Sequence, residues 1–88
     1  MTVEVTSDFN KDISKLHDKK LLLAVKTALQ KIESAQSIAD LPNLKKLQGT
    51  SNYFRLRIKD YRMGIFVTVD KITIARFLHR KEIYRYFP

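Results

Sequence analysis

Residues 53–58 read Tyr53-Phe54-Arg55-Leu56-Arg57-Ile58. Phe54, Leu56 and Ile58 alternate with Arg55 and Arg57, and Lys59 extends the charged set. Successive side chains of a strand point to opposite faces, so a strand here must hide one face and present cations on the other. This alternation commits the chain to a sheet with one basic, solvated side and one apolar side that other elements must cover.

The flanking segments supply the rest of such a fold. Downstream, Tyr61, Met63, Ile65, Val67 and Val69 share one face, and Arg62, Gly64, Phe66 and Thr68 the other. Strands are expected over 53–59, 61–69 and 72–78, with hairpin turns at Asp60 and Asp70-Lys71. If Arg62 lies across from the arginine row, the sheet gains a compact basic patch. Gly64 then leaves an unfilled spot where a ligand backbone can approach closely. Upstream, Val3-Glu4-Val5 reads as a first strand. Ser7 or Asp8 can cap a short helix to about Leu16, with Phe9, Ile13 and Leu16 at helical spacing. Asp18 can cap the next helix, where Leu22, Val25, Leu29 and Ile32 recur with Ala28 on the same face. The two helices, joined at His17-Asp18, should form a hairpin over one face of the sheet. Leu41-Pro42 stops helical structure within a connector over 34–52, and Gly49-Thr50-Ser51-Asn52 is turn-rich. Residues 80–87 form a short helical turn or tail. The expected class is α+β, in the order β-α-α-β-β-β plus a tail, with the helices packed on one face and residues 1–88 making a single domain.

Composition narrows what such a fold can do. The chain has 88 residues, no Cys and only two His, His17 and His79. That removes disulfide scaffolds, cysteine zinc sites, iron–sulfur clusters and thiol catalysis, and leaves little to hold a metal. A domain of this size hides roughly 60–65% of its unfolded surface, enough for one modest core but not for a deep active site. The longest apolar run, Leu21-Leu22-Leu23-Ala24-Val25, is far short of a membrane span. Met1-Thr2-Val3-Glu4-Val5 lacks the basic start and long apolar stretch of a signal peptide. A cytoplasmic protein, with no membrane partner, is the default expectation.

The net charge of +8 suggests a polyanionic partner, although surplus lysine can also serve solubility alone. Its distribution is more informative. Residues 1–52 hold eight Lys, no Arg and six acids. Residues 53–88 hold six Arg, three Lys and three acids. Arginine grips phosphate or carboxylate through two bonds at once, whereas lysine acts as a solvated point charge. A row of Arg55, Arg57 and Lys59, reinforced by Arg62, Arg76, Arg80 and Arg85, suits phosphates. Tyr53, Phe66, Tyr84 or Tyr86 can stack on bases. An acidic peptide would suit the same pattern. In the tail, His79 can exchange a proton near neutrality and Tyr84 can donate one. The bland alternatives are a hydrogen-bonded histidine closing a strand and an aromatic sealing the core. His17 is read as purely structural.

The segments Leu44-Lys45-Lys46-Leu47-Gln48-Gly49, Tyr53-Phe54-Arg55-Leu56-Arg57-Ile58, Asp60-Tyr61-Arg62-Met63-Gly64-Ile65 and His79-Arg80-Lys81-Glu82-Ile83-Tyr84 resemble the RelE/ParE superfamily of type II toxins. The resemblance covers essentially the whole chain, and its specificity lies in residues 44–86. It implies a small toxin neutralised by a cognate antitoxin that wraps around it. The RelE branch cleaves messenger RNA on the ribosome without a metal or cofactor; the ParE branch inhibits DNA gyrase and lacks that chemistry. The tail is closer to the RelE branch, whose site residues fall on Arg55, Arg57, Arg62, Arg80 and Tyr84.

One departure matters. The best-known RelE pattern has lysines where this chain has Arg55 and Arg57. Arginine is always charged in proteins and cannot act as a base. His79 or Tyr84 is then the expected base for a ribose 2′-hydroxyl attacking the adjacent phosphate, and Tyr84 the first choice of acid. Arg55, Arg57, Arg62 and Arg80 would position the phosphate and stabilise its growing charge, with Lys59 and Arg85 adding RNA contacts. Because charge would be kept, Arg55→Lys is expected to retain much activity. The rival readings are a non-enzymatic gyrase inhibitor and an inactive, antitoxin-bound relic.

Overall fold

The computed structural model describes residues 2–88. The elements run β1 (Thr2–Val5), α1 (Ser7–Ser14), α2 (Lys19–Ser34), a single 3-10 turn (Ile38–Asp40), β2 (Leu44–Lys46), β3 (Tyr53–Ile58), β4 (Tyr61–Val67), β5 (Lys71–His79) and α3 (Arg80–Tyr86). One five-stranded sheet has the order β1-β5-β4-β3-β2. β1 pairs parallel to β5, and every other pair is antiparallel. The α+β class matches the expectation from the sequence, with one strand more. Leu44, Lys45 and Lys46, expected as connector, pair with Leu56, Arg55 and Phe54 as the edge strand β2. Three residues carry too short an alternation to show in the sequence alone.

The pleat sorts β3 and β4 as their alternation requires. Leu56, Ile58, Met63 and Ile65 are buried in one cluster with Ile72, Ile74 and Phe77 of β5. Ile72 and Ile74 are two apart, but Phe77 is three beyond Ile74. The register shifts between Gly64/Arg76 and Ile65/Ile74, so Ala75 is an extra residue that turns Phe77 back to the core side. α2 covers this face with Leu21, Val25 and Ile32, helped by Ala24, Ala28 and Leu29. Leu21, not Leu22, supplies the first turn of that stripe. Asp18 caps the helix as expected, its Oδ1 accepting from the Lys20 and Leu21 amides.

The cap of α1 is Thr6, one residue before the expected Ser7 or Asp8. Its Oγ1 accepts from the Phe9 amide at 3.0 Å and donates to the Ala75 carbonyl at 2.7 Å. The second bond, across the sheet edge, is what selects Thr6. α1 ends at Ser14 with Lys15 as its C-cap, and Leu16 follows the helix while still packing on the core. α1 lies against β5 where β1 has ended.

Two turns also differ from expectation. Lys59 is not a strand residue: with Asp60 it forms the two-residue β3–β4 turn, at φ 55°. Val69 lies beyond β4 and is fully exposed.

The helices do not all pack on one face. α3 lies on the opposite side, because Phe87, just after it, covers Gly64. Gly64 faces away from Met63 and Ile65, in the layer of Arg55 and Arg76. The spot expected to be open at Gly64 is therefore filled from within.

Candidate active site

On the basic face, β3 and β4 place Arg57 directly opposite Arg62, and Arg55 opposite Gly64. β2 adds Lys45 beside Arg55. Like charges directly opposite on a sheet repel, and no carboxylate lines the cleft between them. A cavity of about 420 Å³ is bounded by Asn43, Lys45, Arg55, Arg57, Arg62 and Tyr84. Four cations with no acid in one small cleft make a receptor for an anion.

Each arginine is held differently. Arg57 donates from Nη2 to Asn43 Oδ1 at 3.0 Å, and its amide donates to the Asn43 carbonyl at 3.1 Å. Asn43 takes φ 65° to make both contacts, a conformation asparagine tolerates better than most residues. Arg62 donates from Nη1 to the carbonyls of Tyr61 (2.9 Å) and Lys59 (3.1 Å). Arg55 donates from Nη2 to the Phe87 carbonyl at 3.2 Å, and its Cζ lies 4.2 Å from the centre of the Tyr84 ring. A change of Arg55→Lys would keep the charge but lose the planar guanidinium that lies over the Tyr84 ring. The Arg55 Nε is buried and has no hydrogen-bond partner among the described residues. Tyr84 is 72% exposed, open to a ligand.

Arg55, Arg57, Arg62 and Tyr84 thus converge. The other expected site residues do not. His79 is the N-cap of α3: its Nδ1 accepts from the Lys81 amide at 3.1 Å, and its ring stands edge-on to Tyr61 at 5.5 Å. His79 borders a separate cavity with Asp12, Glu82 and Tyr86. Arg80 and Arg85 are exposed on α3 and do not line the cleft, and Lys59 lies in the turn. His17 is exposed between α1 and α2.

Arg76 belongs to the structure, not to the basic patch. Its Nε and Nη2 reach the two oxygens of Asp12 at 2.8 and 2.9 Å. The hydrogen-bonded Asp12 carboxylate holds the Arg76 guanidinium charged beyond the usual arginine range. Tyr53 and Phe66 pack against one another with rings tilted by 42° and centroids 4.9 Å apart, and Tyr53 meets Phe87 edge-on at 5.6 Å. They pack the inner part of the face, leaving Tyr84 as the cleft's exposed aromatic. Asn43 and Lys45 were missed by sequence reasoning. The available signal for Asn43 was its place directly after Leu41-Pro42, where a turn is required.

Residues 3–84 match the family described as the ParE toxin of type II toxin-antitoxin system, parDE. The chain is 43% identical over 65 residues to Toxin RelE3 of Methanocaldococcus jannaschii, a stretch covering 73% of this chain and 74% of that protein. Among solved structures it resembles a chain of the RelB-RelE antitoxin-toxin complex from Methanococcus jannaschii, at 33% identity and a TM-score of 0.80 over 96% of this chain and 98% of that one. It shares its fold with a chain of the archaeal RelE-RelB complex from Pyrococcus horikoshii OT3, at 22% identity and a TM-score of 0.73 over 90% and 93% of the two chains. With a family match across nearly its whole length and a curated toxin at this identity, the chain belongs to the ParE toxin family of type II toxin–antitoxin systems.

Proposed function

We propose that this toxin is an mRNA interferase that cuts messenger RNA on the ribosome and is neutralised by a cognate antitoxin. The observation that carries the reading is the convergence of Arg55, Arg57, Arg62 and Tyr84 on one acid-free cleft. The RNA supplies its own nucleophile. Its 2′-oxygen bonds to the adjacent phosphorus, the bond to the 5′-oxygen breaks, and the products are a 2′,3′-cyclic phosphate and a 5′-hydroxyl. The three guanidiniums stabilise the extra negative charge on the phosphoryl oxygens. Tyr84 gives its proton to the departing 5′-oxygen. The 2′ proton passes to water at the open mouth of the cleft, where Lys45 and Tyr84 are exposed. The tie of His79 Nδ1 to α3 argues against His79 as base.

The antitoxin reading has its own support. A cavity of about 460 Å³ runs between α2 and β3, floored by Ala24, Ala28, Leu56 and Ile58 and rimmed by Lys20, Lys31, Arg57 and Lys59. Leu23, 63% exposed, stands on its border. An acidic amphipathic segment that folds on binding suits an apolar floor with a cationic rim.

A second reading, non-enzymatic inhibition of DNA gyrase, is favoured by the family match to ParE toxins and by arginine at positions 55 and 57. The deciding experiment adds the purified chain to programmed ribosomes and maps the message ends. Cuts ending in cyclic phosphate support the interferase. No cuts, with loss of gyrase supercoiling in a parallel assay, would establish the second reading.

A further inference from the structure

Ile83 and Phe87 are buried, at 0% and 4% exposure, yet they stand apart from the main core. Both belong to the α3 segment, and the Phe87 amide donates to the Ile83 carbonyl at 2.9 Å. The Phe87 ring sits directly on the Gly64 backbone. A Cβ at Gly64 would lie 2.7–2.8 Å from three carbons of that ring, closer than real carbons approach. β4 therefore carries a glycine where the ring needs the space.

The seat has a consequence for the cleft. A helix of only seven residues has no independent stability, so its placement depends on its anchors. Tyr84 lies between the two anchors and is itself free. Its guanidinium partner, Arg55, is tied to the same segment through the Phe87 carbonyl, while Arg55 Nε has no partner to fix it otherwise. Seating the ring sets Tyr84, whose ring then lies over the Arg55 guanidinium.

We infer that Phe87, seated on Gly64, is a positioning residue that holds Tyr84 against Arg55 across the cleft. Its effect on catalysis passes through Tyr84. The activity arm of this inference rests on the interferase reading; the geometric arm does not. Displacing a catalytic group by about 1 Å can cost on the order of 100-fold in rate.

The test combines kinetics on programmed ribosomes with NMR of the folded chain. Phe87→Ala should lower kcat by about 10- to 100-fold with little change in KM, the pattern of a misplaced catalytic group. Gly64→Ala should do the same by pushing the ring out. Adding Phe87→Leu to Gly64→Ala should restore much of the rate, because the smaller side chain leaves room for the new methyl. In a Tyr84→Phe background, Phe87→Ala should have almost no further effect. In the wild type, Arg55 side-chain protons should show the upfield shift of a group over an aromatic ring, and each single variant should lose it. Equal losses from Phe87→Ala with and without the Tyr84 hydroxyl would overturn the inference, as would unchanged Arg55 shifts in both single variants. A wild-type chain that cuts no message would remove the interferase reading, and the NMR comparison would then decide the positioning on its own.

Discussion

Asp12 on α1 and Arg76 on β5 are 64 residues apart and meet through two hydrogen bonds, at 2.8 and 2.9 Å. The same Asp12 oxygen that takes Arg76 Nε also accepts the Phe77 amide at 3.0 Å. Asp12 is 5% exposed, so a buried carboxylate neutralises the arginine and satisfies a strand amide beside the α1 packing surface. A buried charge without such partners would be very costly. The pair is what separates Arg76 from the arginines of the cleft, which have no carboxylate partner among the described residues.

Breaking one partner should be expensive. Asp12→Ala leaves Arg76 and the Phe77 amide unpaired and should cost about 3 kcal/mol, roughly 12–24 °C in Tm for a domain of this size. Asp12→Ala combined with Arg76→Leu should cost clearly less than the sum of the single changes, because no charge is stranded. Thermal unfolding of the four proteins measures this; strict additivity would refute the coupling.

Alkaline pH should not loosen this pair. The Asp12 contact raises the Arg76 pKa, so the stability it contributes is fully present below the unfolded arginine value. It is lost only as pH rises through the still higher folded value. Unfolding by urea between pH 7 and 10 should therefore show no change that Asp12→Ala/Arg76→Leu abolishes.

Tyr84→Phe keeps the ring over Arg55 and removes only the proton donor. Cleavage should fall by about 100- to 10,000-fold while RNA-programmed ribosome binding persists, as expected for loss of a general acid. Arg62→Ala should also suppress cleavage, with a melting temperature close to wild type, since Arg62 faces the cleft. Cleavage assays alongside binding measurements separate the two effects.

His79 separates structural from chemical roles. His79→Asn preserves an N-cap acceptor and should leave cleavage near wild type, whereas His79→Ala should lower stability by about 1 kcal/mol. A roughly 100-fold loss of rate in a folded His79→Asn variant would return the imidazole to the proton transfer. Added chelator should leave the rate unchanged, because no metal is used in the proposed reaction.

The groove beside α2 can be probed at Leu23. Leu23→Glu changes an exposed side chain and should shift stability by no more than about 0.5 kcal/mol. It should weaken capture of the co-expressed antitoxin by tenfold or more and leave message cleavage by the free toxin intact. Rising salt should weaken the wild-type complex, since the rim charges are screened. Calorimetric titration at two salt concentrations would show both effects.

Local periodicity determined much by itself. The two-residue alternation of 53–58 and 61–67 set which side chains are buried, and the spacing of Val25, Ala28, Leu29 and Ile32 set the face α2 turns to the sheet. These patterns depend only on the pleat and on the helical turn, and both are properties of neighbouring residues. The concentration of arginine in the second half of the chain also pointed to the basic face. What tertiary structure alone decided was how each charged or special residue is used. Arg76 became structural because Asp12 reaches it from α1. Gly64 became a seat because Phe87 returns over it. His79 became a cap because a helix begins there, and Lys59 became a turn residue because β3 and β4 are joined by only two residues. Each outcome depends on a contact or geometry set by how elements meet, and partners distant in sequence leave no periodic trace in either segment alone.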